Sequence, residues 1–542
     1  MRQHQPNILL ITADQQRYDT IHNCGYSHMK TPNLDRLAQE GCTFEYAFSP
    51  NPTCMAARHN IITGLPARYH GFDDNYFDVI KAPPFDVPTF PQILADNGYD
   101  TAAFGKMHFS PFRRHNGFNH MELMEEIPRY REDDDYAQFL QANGYGDVQS
   151  IHGVRHLLYM LPQRSLIPEQ FHGSTWVADR TIQYLENNRG NRPFMIWSSF
   201  IQPHPPFDVP DRLADLYQDV TMPPLKESRT PISPLAQENR CIADYPSEEY
   251  LQRARQLYCS AISFVDEQVG RILQKLENIG QLDNTLIVYT SDHGEMMGDQ
   301  GTFQKFLPYD SAARIPFIVR YPERFKPGSH SDDFVDLNDL LPTFLDIAGA
   351  SYPADIPLPG ESLLIRDGKK DRHSQYIEHA KGNRRWVSLR EQRYKYNYYY
   401  GGGLEELFDM TDDPDETTNL LYGTAVPQEY RDIAAQMRSR LAGIEETYGL
   451  PGYVEDHDLI SLPPYEPNLY RESNFPMFGS KLNEDERWML LDSKKEILKA
   501  IQKEPIVHLS QLDLRTFQEK SGLSDFEIQE LVRQSESGRS NN

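Results

Sequence analysis

The stretch NILLITADQQ, residues 7–16, decides the fold class of this sequence. Its apolar half is typical of a strand buried on both faces of a sheet, and that strand ends at Asp14. Helical patterns and further apolar runs alternate downstream, as in TFPQILADNGYDTAAFGK (89–106) and in STWVADRTIQYLENN (174–188) before PFMIWSSFIQPH (193–204). This alternation predicts an α/β protein with a large, mostly parallel central sheet flanked by helices.

Three other segments carry clear helical patterns. TPNLDRLAQEG (31–41) predicts a helix that starts near Thr31 and stops at Gly41. The longest pattern, EEYLQRARQLYCSAISFVDEQVGRILQKLENIG (248–280), leads into the strand-like run TLIVYTSDHG (285–294). FVDLNDLLPTFLDIAG (334–349) is interpreted as one further helix.

The sequence changes character after about residue 375, where polar and aromatic residues alternate in RRWVSLREQRYKYNYYYGGGLEELFDM (384–410). This pattern favours antiparallel strands with a glycine-rich turn. We therefore predict a catalytic α/β domain over residues 1–375, a smaller antiparallel β subdomain over 376–450, and an extended arm with a small helical tail over 451–542.

The arm and tail are rich in large aromatic residues for a solvated segment. These residues are Tyr453, Tyr465, Tyr470, Phe475 and Trp488. We expect them to pack on the main domain or on another subunit, and we predict a homo-oligomer.

Composition limits the range of partners. The 542 residues carry a formal net charge of -25, which would repel nucleic acid and anionic lipid, so we expect neither as a partner. The five cysteines form no CxxC pair, and the first residues lack the apolar core of a signal peptide. A reducing, cytoplasmic location is the expectation. An anionic substrate would have to be held by a local cluster of cations.

Polar residues follow the predicted strands at the edge where open α/β sheets build their sites. These residues are Asp14, Gln15, Lys106, His108, His204, Asp292 and His293. Taken singly, each has a structural interpretation as a turn residue or a solvated side chain. Together they provide carboxylates, an amide oxygen and imidazoles, which is a set able to bind a divalent cation.

The segment PTCMAARHNIITG (52–64) places Cys54 at the start of a predicted helix, four residues before Arg58. An isolated cysteine in such a place is more often an inert buried thiol than a reactive one. The spacing of Cys54, Ala56 and Arg58 nevertheless forms part of a longer ordered set of motifs.

That set resembles the formylglycine-dependent sulfatase family of the alkaline phosphatase superfamily. PNILLITADQQRYD, TPNLDRLAQEG, CMAAR, FGKMH, QPHPPF, SDHGEMMGDQG and ELFDMTDDPDETTNL follow one another in the order of the family. The resemblance spans roughly residues 6 to 420. It implies hydrolysis of sulfate monoesters, of a sulfated sugar or another small organic sulfate, to the alcohol and inorganic sulfate.

The resemblance also implies a role for each site residue. Cys54 would be oxidised to formylglycine by a formylglycine-generating or sulfatase-maturing enzyme, and Ala56 stands where proline is commoner in the motif. A divalent metal would be bound by Asp14, Gln15, Asp292, His293 and the modified Cys54.

The remaining roles fall to cations and imidazoles. Arg58 would hold the hydrated aldehyde, while Lys106 and Lys305 would bind the sulfate oxygens. His204, with Lys305, would protonate the leaving alcohol, and His108 would act as a base; the roles of the two histidines are interchangeable at this point.

Two of the implied ligands depart from the commonest sulfatase pattern, which has Asp at position 15 and Asn at position 293. Gln15 and His293 look more like the phosphonate monoester hydrolase branch. Phosphonate monoester or phosphodiester hydrolysis with the same nucleophile is therefore the alternative activity. Ca²⁺ is the expected metal, with Mn²⁺ and Mg²⁺ as the other candidates.

Four further residues are candidates for substrate contacts. His70 and Asn75 follow the helix that begins at Cys54, and Arg113 and Arg114, with His115 beside them, lie in FRRHNGFNH. The basic segment has two interpretations, recognition of a second anionic group of the substrate and a solvated turn.

Overall fold

The structure is a computed structural model of the chain. It describes residues 5–76, 87–128, 131–148, 150–153, 162–188, 192–240, 248–353, 355–364 and 372–468, together with the single residues 503, 504, 524, 526, 529 and 533.

The strands follow in chain order. They are β1 Asn7–Asp14, β2 Cys42–Phe48, β3 Asp100–Gly105, β4 His120–Leu123, β5 Pro162–Arg164, β6 Phe194–Pro203, β7 Phe207–Val209, β8 Thr285–Thr290, β9 Phe317–Arg320, β10 Ser329–Asp336, β11 Ser374–His379, β12 Trp386–Glu391, β13 Tyr394–Tyr399, β14 Leu404–Asp409, β15 Val454–Glu455 and β16 Asp458–Leu459.

The α-helices range from single turns to one of 31 residues. They are α1 Pro32–Glu40, α2 Cys54–Thr63, α3 Ala67–His70, α4 Phe90–Asp96, α5 Asp135–Leu140, α6 Gly173–Asn187, α7 Asp211–Ala214, α8 Pro234–Arg240, α9 Glu248–Asn278, α10 Asp310–Ala313, α11 Leu340–Ala348 and α12 Gln428–Tyr448.

The central sheet has eight strands in the order β10-β2-β9-β8-β1-β6-β3-β4. Every pairing is parallel except those of β9, which runs antiparallel to both of its neighbours. The predicted α/β class and mostly parallel sheet are confirmed. Strands β1, β6 and β8 are buried along their whole length, as expected for a sheet covered on both faces.

Alternate residues of β1 face two separate core layers. Leu9 and Ile11 pack in the layer that contains buried side chains of α1, α6 and α9. Ile8 and Leu10 pack in the layer that contains those of α2, α4 and α11. This period of two explains why a run of apolar residues, rather than an alternating pattern, marks the central strand.

A second sheet of four antiparallel strands, β11-β12-β13-β14, follows in the chain. Helix α12 covers one face, where Met437 and Leu441 pack with Leu389 and Tyr396. This sheet begins at Ser374, at the point where the sequence changes character. The predicted smaller antiparallel sheet is confirmed, while the division of the chain into domains at 375 and 450 stays a prediction.

The segment 334–349 differs from its predicted single helix. Phe334 and Val335 belong to β10 and pair with β2, and the helix α11 begins only at Leu340. The carboxylate of Asp336 accepts a hydrogen bond from the backbone N–H of Asn338. In return, the carboxylate of Asp339 accepts one from the backbone N–H of Asp336. This capping box fixes the helix start after the strand.

The described part of the arm lies on the second sheet. The Tyr398 hydroxyl donates to the Ile460 carbonyl over 2.9 Å, and the Leu462 backbone donates to the Tyr400 carbonyl over 2.8 Å. Further along, Glu504 forms an ion pair of 2.8 Å with Arg253 of α9. Tyr470, Phe475, Trp488 and all but a few single residues of the predicted helical tail lie outside the described residues, so the oligomer stays a prediction. Among the helices described, none combines the length and apolar character required to span a bilayer.

Candidate active site

Four neighbouring strands of the central sheet deliver polar side chains to one edge. Asp14 ends β1, Lys106 follows β3, His204 follows β6, and Asp292 comes two residues after β8. In the sheet these strands stand in the order β8-β1-β6-β3, so their carboxyl ends are adjacent. This edge is where open α/β sheets place their sites.

Gly105 allows Lys106 to reach this edge. Its φ of 99° lies in the left-handed region, and a Cβ at this position would come within 2.0 Å of the Ser199 carbonyl oxygen of β6. Only glycine tolerates such a close approach of two strands. The strand end therefore turns sharply, and the lysine that follows is fully buried.

Cys54 begins α2 and is buried among the charged groups of the site. Its Sγ lies 3.1 Å from His293 Nε2, 3.8 Å from Lys106 Nζ and 4.0 Å from Asp14 Oδ1. Burial, followed by the charge of Asp14, raises the pKa of the thiol to about 11. As an unmodified residue it is therefore a protonated thiol and a poor nucleophile.

The start of α2 is held by a residue from outside the helix. The Met55 backbone donates to Asn75 Oδ1 over 3.1 Å, while Thr53 has the extended conformation of an N-cap. One turn along, Arg58 lies on the same face as Cys54, because residues four apart are stacked on a helix. The helix geometry therefore carries both side chains into the same buried site.

Arg58 joins the two aspartates of the site. Its Nη2 donates to Asp14 Oδ2 over 2.9 Å, and its Nε donates to Asp292 Oδ2 over 3.1 Å. Lys106 Nζ also approaches Asp14 Oδ2, at 2.7 Å. Burial by itself would raise the pKa of Asp292, but the charges of Arg58, Lys106 and Lys305 hold it below its usual value at neutral pH, where His293 is uncharged. The charge of Lys106 likewise lowers the pKa of Asp14 despite its burial, so both carboxylates are ionised at neutral pH.

Four groups converge where a metal ion can be bound. Asp14, Cys54, Asp292 and His293 each offer one ligand atom, and these atoms lie within 4.8 Å of one another. Ligands on opposite sides of Ca²⁺ are about 4.6–5.2 Å apart, since each calcium–oxygen distance is about 2.3–2.6 Å. Arg58 binds the Oδ2 atom of each aspartate, so the Oδ1 atoms face the other donors. The donor set fits a divalent cation.

His293 presents the correct ring nitrogen to this set. Its Nδ1 lies 3.0 Å from the Gly294 carbonyl oxygen, to which it donates, so Nε2 carries the lone pair. Burial lowers the pKa of His293 to about 4. The imidazole is therefore neutral and available as a ligand at neutral pH.

Gln15, which the resemblance implies as a further metal ligand, forms hydrogen bonds with two charged residues. Its Oε1 accepts a hydrogen bond from Lys305 Nζ over 2.7 Å, and its Nε2 donates to the carboxylate of Glu295. Glu295 is buried and was not among the residues that the sequence indicated, although it lies two positions after His293 in the same motif.

Lys305 and His204 form a second pair beside the metal donors. Lys305 Nζ lies 3.0 Å from His204 Nε2, and His204 Nδ1 lies 2.7 Å from the Pro205 carbonyl oxygen. Burial lowers the pKa of His204 well below its usual value, while nearby anionic groups raise the pKa of Lys305 overall despite its burial. The shared proton therefore resides on Lys305, which donates to the neutral imidazole.

His108 is buried next to the same charges. Its backbone N–H donates to Glu125 Oε1 over 2.9 Å, and its φ of 54° lies in the left-handed region. Burial, followed by the charge of Lys106, lowers the pKa of its imidazole well below the usual value. Gln15, Gln304 and Phe306 share a positive φ, of 65°, 66° and 75°. Strained backbone of this kind is concentrated at functional sites.

A carboxylate that the sequence did not indicate completes the cluster. Glu126 accepts from Lys106 Nζ over 2.5 Å, and its other oxygen lies 3.5 Å from His204 Nε2. The only sequence signal is a pair of glutamates after the apolar end of HMELM (120–124).

The predicted substrate contacts occupy different environments. His70 is buried, and its Nδ1 accepts from the Phe72 backbone over 3.1 Å. Arg113 binds both carboxylate oxygens of Asp135, each over 3.1 Å, and Arg114 lies half-buried in the same turn. Two of the four contact the helix of Cys54, Asn75 through the Met55 backbone and His70 through the ring of His59, with centroids 5.7 Å apart.

The fold and the site define a class of proteins, the ester hydrolases built on a mostly parallel sheet of alkaline phosphatase type, and the donor set of this chain fits a divalent cation. Residues 6–350 match the family model described as sulfatase, and residues 298–447 match the model described as the C-terminal region of N-sulphoglucosamine sulphohydrolase. An arylsulfatase of Clostridium perfringens is 32% identical to this chain over 490 residues, which cover 84% of the chain and 97% of the relative.

Two further comparisons extend this result. An N-acetylglucosamine-6-O-sulfatase of Bacteroides thetaiotaomicron is 29% identical over 517 residues, covering 82% of this chain and 86% of the relative. The solved structure of a phosphonate monoester hydrolase of Agrobacterium radiobacter shares the fold, with a TM-score of 0.70 at 24% identity, covering 85% of this chain and 100% of that chain.

The chain belongs to the sulfatase family, within the alkaline phosphatase superfamily, and is a sulfuric ester hydrolase. The family and enzyme class implied by the sequence motifs are thereby confirmed.

Proposed function

We propose that this enzyme hydrolyses sulfate monoesters of sugars or other small alcohols, using a formylglycine made from Cys54 and a divalent metal. The observation that carries the proposal is the position of Cys54 Sγ. It lies 3.1 Å from His293 Nε2 and 3.8 Å from Lys106 Nζ, between the metal donors and the cations. A hydrated formylglycine supplies two hydroxyls on one carbon, so one can attack sulfur and the other can later expel sulfate by re-forming the carbonyl.

The metal site includes Asp14, Asp292, His293 and the residue at position 54. A divalent cation supplies a fixed positive charge, which lowers the pKa of a bound hydroxyl and offsets the charge of the ester. Two carboxylates and one imidazole are compatible with Ca²⁺ and also with Mn²⁺. Gln15 is proposed as an additional ligand through Oε1, which requires release of its hydrogen bond from Lys305.

Three cations are proposed to act in the site, one on the nucleophile and two on the substrate anion. Arg58 lies one turn after Cys54 on the same face of α2, and from there it is proposed to hold the nucleophilic residue. Lys106, directly after β3, and Lys305, in the segment before α10, are proposed to donate to the sulfate oxygens. Preorganised donors of this type stabilise the charge that develops on a transferring group.

The Lys305–His204 pair is proposed to protonate the leaving alcohol. The shared proton resides on Lys305 Nζ, 3.0 Å from His204 Nε2, so the pair can pass this one proton to the alcohol oxygen, either directly from Nζ or through Nε2. His108 is proposed as the base that later accepts a proton from the second hydroxyl. The low pKa of its buried imidazole keeps it unprotonated, as a base must be at neutral pH.

The decisive experiment measures modification and turnover together. Protein made with a maturation enzyme and oxidant is digested, and the mass of the peptide containing residue 54 is measured alongside hydrolysis of a chromogenic aryl sulfate. We expect turnover to follow the modified fraction and to be lost in Cys54→Ala. Cys24→Ala, at a half-buried thiol outside the site, serves as the matched control. Full activity with an unmodified thiol would contradict the proposal.

Phosphonate monoester or phosphodiester hydrolysis is the second candidate. The observation that favours it is the donor set itself, in which an imidazole and an amide replace the commoner ligands of sulfatases. Paired kinetics on an aryl sulfate and an aryl phosphonate monoester decide between the two activities.

The proposed sulfate ester is a sulfated sugar or a compact organic sulfate. A relative that covers most of the chain is named as an N-acetylglucosamine-6-O-sulfatase, which supports a sugar substrate. Release of sulfate from glucosamine 6-sulfate, compared with release from a small alkyl sulfate, tests this choice. A maturing enzyme acting on the segment around Ala56 is the proposed partner.

A further inference from the structure

Glu126 places a carboxylate inside the cluster of cations to which we assign the sulfate group. Its Oε2 accepts from Lys106 Nζ over 2.5 Å, and its Oε1 lies 3.5 Å from His204 Nε2. Only 8% of the side chain is exposed. Ligand atoms of Cys54, Glu126 and His204 lie within 4.8 Å of one another, so this carboxylate faces the reacting position.

Glu125, the residue before Glu126, is held by hydrogen bonds through both its side chain and its backbone. The carboxylate of Glu125 accepts from the backbones of Met107 and His108 over 3.1 and 2.9 Å. The Glu125 backbone in turn donates to Asp134 Oδ2 over 2.6 Å. Glu126 is therefore presented by a fixed backbone rather than by a surface loop.

A second metal ion is a poor occupant of this position. The carboxylate of Glu126 and the imidazole of His204 are each in contact with an ammonium group, Lys106 at 2.5 Å and Lys305 at 3.0 Å. Two fixed positive charges repel a further cation. The cluster is suited to an anion, and the effect of Glu126 is to reduce the positive charge that such an anion meets.

We propose that Glu126 is a specificity-determining residue that favours a substrate group with one negative charge over a group with two. The inference rests on the proposed function, because it assumes that the anion of the substrate binds at Lys106 and Lys305. A nearby carboxylate repels a dianion about twice as strongly as a monoanion at the same distance. A sulfate monoester and a phosphonate monoester carry one charge, whereas a phosphate monoester carries two above a pH of about 6.

The test uses three probes that share para-nitrophenol as leaving group, namely the sulfate, the phenylphosphonate monoester and the phosphate monoester. Wild type and Glu126→Gln are compared at a pH of about 8, where the phosphate monoester is doubly charged. We expect kcat/KM for the phosphate monoester to rise at least about tenfold relative to the phosphonate monoester. The ratio between sulfate and phosphonate should stay as in the wild type, because these two probes carry equal charge.

Two variants serve as controls. Glu126→Asp keeps the charge and should retain the wild-type ratios, while Glu132→Gln removes a charge from an exposed position of the same segment. Glu126→Ser replaces the glutamine variant if circular dichroism shows that the latter is unfolded.

Two outcomes overturn the inference. An equal rise in kcat/KM for all three probes in Glu126→Gln would mean that Glu126 disfavours every anion to the same extent, whatever its charge. A further series of aryl sulfates with progressively poorer leaving groups is measured beside these probes. A loss of kcat/KM in Glu126→Gln that grows along that series would instead assign Glu126 to protonation of the alcohol through His204. If the wild type hydrolyses the phosphonate but not the sulfate, the proposed function fails, and the comparison of phosphate with phosphonate still decides the role of Glu126.

Discussion

Arg58 and Asp14 form an ion pair in which neither side chain is exposed to solvent, with Nη2 2.9 Å from Oδ2. The same guanidinium reaches Asp292 over 3.1 Å, so one cation contacts both buried carboxylates. Removal of one partner from such a pair is costly because the other charge stays buried.

Arg58→Met should therefore lower the free energy of unfolding by about 3–5 kcal/mol and abolish turnover. Arg36→Met is the control, since Arg36 forms ion pairs with Glu40 and Glu277 but is 37% exposed, and pairs of that kind contribute about 0–1 kcal/mol. Urea unfolding measures both variants. Equal losses in the two variants would show that the buried network does not hold the site.

Trp386 connects the second sheet to the site. Its indole N–H donates to the Phe306 carbonyl over 2.8 Å. Phe306 directly follows Lys305 in the chain, and its own φ of 75° is positive. Trp386→Phe keeps an aromatic ring, although a smaller one, and loses this donor, so we expect kcat to fall about tenfold while stability falls by about 1–2 kcal/mol. Trp176→Phe, a buried tryptophan of α6, should cost stability without the loss of kcat. Unchanged kcat in Trp386→Phe would contradict a positioning role.

Acid should destabilise the protein through His379. This imidazole is buried beside Thr53, whose hydroxyl lies 2.9 Å from Nδ1, and burial lowers its pKa to about 3. The unfolded chain binds a proton near pH 6.5, but the folded chain does not, so the free energy of unfolding falls as pH decreases below about 6.5. The expected slope is about 1.4 kcal/mol per pH unit.

His379→Gln should reduce this slope, as measured by urea unfolding at about pH 7 and about pH 5 without added metal. His22→Gln, at an exposed position, is the control. The same slope in His379→Gln as in the wild type would assign the acid sensitivity to other groups.

A divalent metal should raise the melting temperature independently of turnover. Binding to the folded state alone stabilises by about 2.7 kcal/mol at a free metal concentration of about 100 times Kd. Asp292→Asn should remove the shift, and Asp355→Asn, at an exposed position, should keep it. Thermal unfolding with Ca²⁺, Mn²⁺ and Mg²⁺ in turn ranks the metals. No shift with any of them in the wild type would contradict the metal site.

The tail should contribute to assembly. Glu504 already connects it to Arg253 of α9 through a buried ion pair. Light scattering should find an oligomer for the full chain and a smaller species when residues after 480 are deleted. A monomer in both cases would contradict the predicted homo-oligomer.

Local patterns in the sequence predicted most of the scaffold. The apolar run of β1, the helical period of α9 and the start of α1 after Thr31 are determined by neighbouring residues, which is why they were predictable. The helix expected over 334–349 was wrong at its start, because pairing of Phe334 with Tyr46 and the Asp336 capping box depend on a strand far away in the chain.

By itself, the sequence determined the fold class, the family and the order in which polar residues follow the strands, since these depend on period and spacing. Only the tertiary structure decided which groups meet. Gln15 is bonded to Lys305, 290 positions away, and Glu126 contacts both Lys106 and His204. No local period encodes such contacts, because they arise where strand ends distant in sequence converge at one buried edge of the sheet, and burial there fixes the charge and orientation of each group.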